Sequence, residues 1–256
     1  MIAVISDIHG NIAAAEAVLR DIDAQKASEV ISLGDVVGYG PNPVECTDLV
    51  RSRVRTNICG NHDVAVLSQA FGFNRYAKDA IDWTRRVMRP RWYSLPATVA
   101  RWRFLENLPD RHRRGDVYFV HASPRDPITE YVEESDTVDM GFGPSEKIIQ
   151  IMSMVERLCF IGHSHKHGIV TGEHKWLSMK DLPANTFRLE PGAKALVNVG
   201  SVGQPRDGDW RACYVLWDGD TIVFRRVEYD IQSTIARIRA IPQLHEKLAQ
   251  RLLSGK

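Results

Sequence analysis

The sequence predicts an α/β protein of four layers, α/β/β/α, in which two mixed β-sheets pack face to face and helices cover both outer faces. Three observations lead to this prediction. The first third of the chain alternates strand-like apolar runs with helical patterns, the next segment is largely helical, and the last third is mostly short strands. A β-α-β-α-β order indicates parallel strands with right-handed crossovers, whereas short strands joined by a hairpin indicate an antiparallel part.

The first third contains three predicted strands, each followed by polar residues. The strands lie at residues 2–5, 30–33 and 56–59, and the helices between them at 11–25 and 43–50. Short apolar runs bounded by Gly, Asn and Asp are typical of buried strands. Asn11 is the expected N-cap of the first helix, because its side chain can accept a hydrogen bond from the first turn.

The next segment, residues 64–116, is predicted to be an inserted helical cap. Up to about residue 109 it has a helical pattern in which tryptophans lie among many arginines. Strand character resumes over residues 111–121, where Arg114, Gly115 and Asp116 provide a turn before the apolar run 117–120. A further helix is predicted at residues 145–155.

The last third is predicted to be mostly strands. These strands lie at 158–161, 168–171, 175–179, 186–189 and 196–199, with a hairpin of 213–217 and 221–226 around Asp218-Gly219-Asp220. Two C-terminal helices, within residues 228–256, are predicted at 231–240 and 243–253. We expect all of these elements to form a single domain, residues 1–256.

The charge and cysteine content exclude several classes of protein. The 256-residue chain has 33 Lys and Arg against 32 Asp and Glu, so its formal charge is +1 and gives no overall attraction to nucleic acid or membrane. The first strand begins at Ile2, which leaves no room for a signal peptide, and no apolar stretch suits a membrane helix. The 4 cysteines have no CxxC spacing. We therefore expect a cytoplasmic protein with no membrane partner.

Five polar motifs follow predicted strands and carry the candidate chemistry. They are Asp7-Ile8-His9, Gly34-Asp35, Gly60-Asn61-His62-Asp63, His121 and Gly162-His163-Ser164-His165. Each motif alone can be explained equally well as a turn. Open α/β sheets, however, bind ligands at the carboxyl ends of their strands, and all five motifs would meet there. Side chains two apart, such as Asp7 and His9, point the same way and can reach one cation. The set therefore predicts two adjacent metal sites, with Asp35 able to bridge them.

In combination the motifs resemble the calcineurin-like metallophosphoesterase superfamily, and the resemblance runs from Ile2 through Asp209. It implies an α/β/β/α sandwich with a dinuclear metal centre. The implied ligands are Asp7, His9, Asp35 and His165 for one metal, and Asp35, Asn61, His121 and His163 for the other. Asp35 is then the bridge. His62 is implied to be a non-ligand histidine that contacts the phosphoryl group or protonates the leaving oxygen.

The resemblance also implies an activity, namely hydrolysis of a phosphoester by a hydroxide that bridges two divalent ions. Nitrogen and oxygen ligands without thiolate suit Mn, Fe, Zn, Ni or Co, and the sequence does not choose among them. The implied partner is a small phosphoester substrate, with nucleotides among the candidates. Some relatives keep the fold as a protein-interaction scaffold, but here every ligand position is filled.

One departure from the family pattern narrows the range of expected substrates. Protein phosphatases of the superfamily extend the second motif to GDxVDRG, whereas this chain has GDVVGYGPNP, with Gly38 and Tyr39 in place of Asp and Arg. Loss of that arginine removes a bidentate clamp for a phosphomonoester dianion. The pattern is instead similar to bacterial and archaeal predicted phosphodiesterases, which implies a phosphodiester substrate. Nucleotide polyphosphate hydrolysis, of the dinucleoside tetraphosphate type, and phosphomonoesterase activity are the alternatives.

Four residues near the motifs are candidate substrate contacts: Asn11, Tyr39, Arg125 and Arg206. The arginines can replace the missing clamp, and Arg206 lies in a glycine-rich loop whose N–H groups also suit an anion. The alternatives are solvated loop arginines and, for Asn11, a helix cap.

The predicted helical cap interleaves arginines with Trp83, Trp92 and Trp102, an arrangement that can stack single-stranded nucleic acid. Exposed arginines on helices whose tryptophans enter the core are the more ordinary explanation. We therefore predict a basic rim and no dedicated nucleic-acid module.

Overall fold

The computed structural model of the chain describes residues 1–138, 141 and 143–256, and it confirms the predicted α/β/β/α architecture. The strands are β1 (Ile2–Ile5), β2 (Glu29–Ser32), β3 (Thr56–Asn57), β4 (Arg111–Arg114), β5 (Val117–Val120), β6 (Leu158–Ile161), β7 (Gly168–Thr171), β8 (Trp176–Leu177), β9 (Thr186–Arg188), β10 (Ala195–Asn198), β11 (Ala212–Asp218) and β12 (Thr221–Val227). The α-helices are α1 (Ile12–Ala24), α2 (Pro43–Arg53), α3 (Asn61–Leu67), α4 (Arg75–Met88), α5 (Pro96–Glu106), α6 (Glu146–Ser153), α7 (Ile231–Ala240) and α8 (Glu246–Ser254).

Both sheets are mixed and each has six strands. The first has the order β3-β2-β1-β11-β12-β9, in which β1, β2 and β3 are parallel and the other pairs are antiparallel. The second has the order β4-β5-β6-β10-β7-β8, with β5, β6 and β10 parallel. Parallel strands therefore lie within each sheet, and the loops that leave their carboxyl ends can meet at one edge of the sandwich.

The central core lies between the two sheets and is rich in aromatic residues. The rings of Phe119 and Phe160 stack at 5.3 Å, and Trp217 packs against both. Val4 and Phe224 enter the same cluster from the first sheet, and both are buried. Burial of a side chain of this size stabilises the fold by roughly 1.5–3 kcal/mol relative to exposure, so this core fixes the two sheets against each other.

The two outer layers differ in thickness. Helix α6 covers the second sheet and packs through Ile148, Ile151 and Met152. The first sheet is covered by the remaining α-helices of the described residues, with α1 buried against it through residues such as Val18 and Ile22. The thicker layer therefore lies on the side of the sandwich that carries β1 and β2.

The helices of the predicted cap belong mainly to this thicker layer. Ile81 and Met88 of α4 and Leu105 of α5 lie in the cluster beneath α1 and α2, while Ala77 and Ala80 pack with α7 and α8. The loop that follows α3 borders the cleft described below. The domain and cap boundaries remain predictions.

Two strands are shorter than predicted by two residues or more, for reasons visible in their hydrogen bonds. The strand predicted at residues 56–59 ends at Asn57, because the Cys59 N–H turns away and donates to the carbonyl of Pro109 at 2.8 Å. The strand predicted at 175–179 ends at Leu177, because the N–H of Met179 donates to His167 Nε2 at 3.3 Å.

In the described part of the chain, none of the helices combines the length and apolar character needed to cross a membrane.

Candidate metal centre

The structure brings the five motifs together at the carboxyl ends of β1, β2, β5 and β6 and the start of α3. The predicted ligands and His62 are at most 4% exposed, apart from half-buried Asn61. The motif containing Asn61 and His62 differs from expectation in one respect, since it opens a helix rather than forming a loop. Gly60 is the N-cap and Asn61 the first residue of α3.

The first group of ligand atoms comes from Asp7, His9 and His165. His9 Nε2 and His165 Nε2 are 3.0 Å apart, and Asp7 Oδ1 lies 3.3 Å from His165 Nε2 and 3.6 Å from His9 Nε2. Ligands at bond lengths of ~2.0–2.2 Å around one ion are separated by roughly 3.0–3.6 Å. The three atoms therefore have the spacing of ligands that share one ion, and they form a potential metal-binding set.

The second group comes from Asn61, His121 and His163. His121 Nε2 lies 3.1 Å from Asn61 Oδ1 and 3.2 Å from His163 Nδ1. Asp35 Oδ2 lies 3.5 Å from His121 Nε2 and also 3.5 Å from His9 Nε2 of the first group. One carboxylate oxygen is thus placed between the two groups.

Two observations show that these residues fit metal ions. Asp7 Oδ1 is buried and has no hydrogen-bond partner in the described structure, although an unpaired buried carboxylate oxygen is costly. Its other oxygen accepts a bond of 3.0 Å from the N–H of His163, and Asp35 Oδ1 accepts one of 2.8 Å from the N–H of His62. Each carboxylate therefore has one oxygen fixed by the backbone and one directed into the cluster.

The histidines are oriented in the same manner. Each uses one ring nitrogen toward the cluster and the other toward a backbone carbonyl, which must accept from an N–H and so fixes the tautomer. The carbonyl partners are Val37 for His9 Nδ1 at 3.2 Å, Leu33 for His121 Nδ1 at 2.9 Å, Gln204 for His165 Nδ1 at 2.6 Å and Thr129 for His163 Nε2 at 3.1 Å. The nitrogens that face the cluster are consequently free to bind a cation.

Burial sets the charge state of the metal-free cluster. It lowers the pKa of both His163 and His165 to about 3, so these imidazoles are neutral at pH 7. Burial, together with the charges of Asp7 and Asp63, raises the pKa of Asp35 well above its ordinary range. For Asp7, burial opposes ionisation, but His165 and the other histidines bring its pKa well below the ordinary value. A bound cation would favour the ionised form of both carboxylates.

The backbone at the cluster adopts an uncommon conformation. Six site residues have positive φ: Asp7 (55°), His9 (48°), Asp35 (52°), Tyr39 (52°), His163 (64°) and His165 (60°). Such left-handed conformations are uncommon for non-glycine residues and concentrate at functional sites. Gly60 relieves one further conflict, since a Cβ there would lie 2.1 Å from Asp35 Oδ1. The backbone conformation at these residues therefore leaves room for the Asp35 carboxylate in the cluster.

His62 lies beside the cluster, and its Nδ1 is buried without a partner among the described residues. Its ring packs against Tyr39 at 4.3 Å between centroids, and a Cβ on Gly38 would lie 2.4 Å from Nδ1. Glycine at position 38 therefore makes room for the imidazole. Ligand atoms of His62, His9 and Asp35 also lie within 4.8 Å of one another, so the geometry alone allows either a ligand or a non-ligand role.

A cleft of about 440 Å³ opens over the cluster, and Tyr39 and Arg206 line it. The guanidinium of Arg206 lies 5.5 Å from the centre of the Tyr39 ring and donates to Gln204 Oε1. None of the described carboxylates lies within ion-pair distance of Arg206, so its charge is available to a ligand.

The other two predicted substrate contacts lie elsewhere. Asn11 is buried, accepts from Ala14 N–H as the helix cap and donates to the carbonyl of Gly203. Arg125 is directed toward Glu130 and Gln150 and is not among the residues lining the cleft. A substrate contact by either residue remains a prediction.

Sequence reasoning missed three aromatic residues of the cleft, namely Phe71, Phe73 and Tyr131. The Tyr131 ring lies 3.9 Å from that of His163, and the Phe73 ring lies 4.9 Å from that of His62. Their only sequence signal is their position in loops that follow the third and fourth motifs, which is weak.

Two residues outside the cleft are notable for their exposure. His167 is 12% exposed, and its Nδ1 bonds Asp207 Oδ2 at 2.5 Å, while Arg226 donates to the same carboxylate. Trp92 is 96% exposed, whereas Trp83 and Trp102 pack against the core as predicted.

Comparisons with known proteins agree with this geometry. Residues 1–221 match the family model of the calcineurin-like phosphoesterase superfamily domain. The chain is 38% identical, over 100% of its length and 98% of the relative's, to the uncharacterized protein MJ0912 of Methanocaldococcus jannaschii. A metallophosphoesterase from Sphaerobacter thermophilus has a TM-score of 0.81 and 34% identity, covering 100% of this chain and 98% of its own.

The hypothetical protein PH1004 from Pyrococcus horikoshii OT3 shares the fold, with a TM-score of 0.75, 19% identity, and coverage of 100% of this chain and 99% of its own. The family match and the buried cluster together support a metal-dependent phosphoester hydrolase. The chain belongs to the calcineurin-like phosphoesterase superfamily.

Proposed function

We propose that the protein is a phosphodiesterase that binds two divalent cations and hydrolyses small phosphodiesters. The observation that carries this proposal is the position of Asp35 Oδ2, which lies 3.5 Å from a ligand nitrogen of each group, His9 Nε2 and His121 Nε2. A single oxygen so placed is suited to bridge two ions.

The donor set defines the cations that would bind. Asp7, His9, His165 and Asp35 would hold one ion, and Asp35, Asn61, His121 and His163 the other. Nitrogen and oxygen donors without thiolate suit Mn, Fe, Zn, Ni or Co. When bound, such ions lower the pKa of water toward neutrality and neutralise phosphoryl oxygens.

His62 would act on the leaving oxygen or on a phosphoryl oxygen. Burial lowers the pKa of His62 well below 6.5, so the ring is neutral in the metal-free and substrate-free site. In this state one ring N–H can donate a hydrogen bond to a phosphoryl oxygen. The negative charge of a bound phosphate favours the protonated form, which can transfer a proton to the leaving alkoxide.

The charge of the cleft favours a diester over a monoester. Among the described lining residues, Arg206 is the only lysine or arginine. A phosphodiester carries one negative charge and needs fewer cationic contacts than a monoester dianion or a polyphosphate, for which bidentate arginines are the usual device. We therefore place the diester first and the nucleotide polyphosphates second.

The test is hydrolysis of bis-p-nitrophenyl phosphate and p-nitrophenyl phosphate by protein loaded with Mn²⁺. We expect the diester to have the larger kcat/KM. Turnover of the monoester alone would refute the diesterase assignment. A protein that binds fewer than two ions at saturating Mn²⁺ and is inactive on both esters would instead be a scaffold.

A further inference from the structure

The mouth of the cleft contains aromatic side chains that the metal chemistry does not use. Phe71 and Phe73 come from the loop between α3 and α4, and Tyr131 from the loop after β5. Phe71 is 82% exposed and Tyr131 is 47% exposed, although both line the cleft. Exposed aromatic rings beside a polar reaction centre are suited to hold a flat ligand by stacking.

Phe73 lies on the His62 side of the cleft, and Phe71, two residues earlier in the chain, lines the same cleft. The Phe73 ring contacts the His62 ring edge to face, with centroids 4.9 Å apart, whereas Tyr131 packs on His163. His62 is the residue proposed above to serve the leaving oxygen. The group attached to that oxygen would then lie beside Phe73.

The other residues that line the cleft favour a leaving group of low charge. Val64, Ala65 and Ile128 line the same cleft and are apolar, and its lysine and arginine complement is Arg206 alone among the described residues. Gln69 also lines it, and the side-chain amide of Gln69 makes no hydrogen bond to the described residues. An aromatic ring with polar edges fits this mixture better than an alkyl chain, which has no group to pair with the amide.

We propose that Phe71 and Phe73 form a nucleobase subsite and that the preferred substrates are phosphodiesters whose leaving group is a nucleoside. This inference rests on the proposed phosphodiesterase activity. In the reaction, the bond between phosphorus and the nucleoside oxygen breaks, water supplies the new oxygen on phosphorus, and the nucleoside alkoxide takes up a proton.

The product ratio from one substrate, adenosine 5′-(methyl phosphate), tests the subsite. Cleavage can release adenosine and methyl phosphate, or methanol and AMP, and both leaving oxygens belong to primary alcohols. Because the subsite places the nucleoside on the leaving side, we expect the Mn²⁺-loaded protein to release mainly adenosine. A stacked base contributes roughly 1–3 kcal/mol, so Phe71→Ala should shift the product ratio toward AMP by about 5- to 100-fold.

Two control variants sharpen this test. Phe71→Tyr keeps an aromatic ring and should retain the product ratio. Trp92→Ala removes an aromatic residue that is 96% exposed but outside the cleft lining, and should leave the ratio unchanged. Release of mainly AMP by the wild-type protein, or a ratio unaffected by Phe71→Ala, would overturn the proposal.

The outcomes separate the subsite from the activity on which it rests. If bis-p-nitrophenyl phosphate is hydrolysed but the adenosine ester is not, the diesterase stands, and the calorimetry described next decides on the subsite. If no diester is hydrolysed, the proposed function fails, and calorimetry of the Mn²⁺-loaded protein with adenosine and with ribose decides on the subsite. Binding of adenosine but not ribose, lost in Phe71→Ala, would support it, and absence of adenosine binding would refute it.

Discussion

The floor and the mouth of the cleft are built in opposite ways. The floor consists of candidate metal ligands at the ends of strands and the start of α3, at most 4% exposed except for Asn61, and several are held by hydrogen bonds to the backbone. The mouth consists of loop residues such as Phe71, which is 82% exposed. The floor is rigid and polar, whereas the mouth is exposed and aromatic. Under the proposed function, the reaction would take place at the floor and the mouth would select the substrate.

The largest expected effect comes from breaking the bridge at the floor. Asp35→Asn removes the carboxylate charge shared by both ligand groups, so we expect the metal content to fall below two ions and diesterase activity to fall to background. Metal analysis by mass spectrometry and turnover of bis-p-nitrophenyl phosphate check this.

The matched control is His167→Ala. His167 lies two residues after His165 but is bonded to Asp207 outside the cluster, so metal content should be unchanged. An active Asp35→Asn protein with full metal content would show that Asp35 is not the bridge.

The next effect concerns His62, between floor and mouth. His62→Ala should retain both metals, because His62 is not required in either ligand set, while kcat falls by roughly 10²–10⁴, the usual contribution of a positioned proton donor. Loss of a metal ion from this variant would instead make His62 a ligand, a role that its distance to His9 and Asp35 allows.

The burial of the floor predicts a pH dependence of stability for the metal-free protein. Burial lowers the pKa of both His163 and His165 from 6.5 to about 3. The unfolded chain therefore binds protons that the native state does not, and the free energy of unfolding should fall as pH falls below about 6.5. Between pH 6.5 and 5 the loss is roughly 1.6 kcal/mol for each histidine. Burial raises the pKa of Asp35 and of Asp63, that of Asp63 to about 6, and both shifts oppose this trend. Burial lowers the pKa of His9, His62 and His121, and these shifts add to it.

Urea unfolding of chelator-treated protein at a series of pH values measures this dependence. His163→Gln should reduce the slope, whereas His174→Gln, on the turn between β7 and β8, should leave it unchanged. Stability that rises on acidification would contradict the neutral state of the buried histidines.

The smallest expected effect belongs to Arg206, the cation of the mouth. Arg206→Ala removes a charged hydrogen-bond donor worth roughly 1.5–3 kcal/mol, so kcat/KM for diesters should fall by about 10- to 100-fold. The change should appear mainly in KM, with metal content unaltered. Arg125→Ala is the control, because the Arg125 side chain bonds Glu130 outside the cleft. An equal fall of kcat/KM in the two variants would show that Arg206 has no specific role in substrate binding.

Sequence reasoning predicted the floor better than the mouth for a physical reason. Candidate metal ligands such as Asp7, His9 and His121 follow buried strands, and strand ends are visible in the sequence as boundaries of apolar runs. Their convergence follows from the way parallel strands meet at one edge of a sheet. The four-layer fold followed from the same alternation of strands and helices.

Loop positions depend on tertiary contacts that no local pattern encodes. The sequence could not show that Tyr131 packs on His163, or that Arg125 is held by Glu130 and Gln150. The burial preference of tryptophan places Trp92 in the core, but it lies between α4 and α5, and the described elements leave it 96% exposed. Cys59 likewise lies outside the predicted strand, because its N–H donates a hydrogen bond to the carbonyl of Pro109.

The left-handed backbone of the ligands has a consequence for which amino acids can occupy these positions. Asp7, Asp35 and His163 need both a ligating atom and a tolerance for positive φ. Aspartate, asparagine and histidine adopt this conformation several times more often than other side chains. Glutamate offers the same carboxylate but lacks this tolerance and has a longer side chain, so Asp35→Glu would not be a conservative exchange. Both the backbone conformation and coordination chemistry thus restrict which amino acids can occupy the positions of the candidate metal centre.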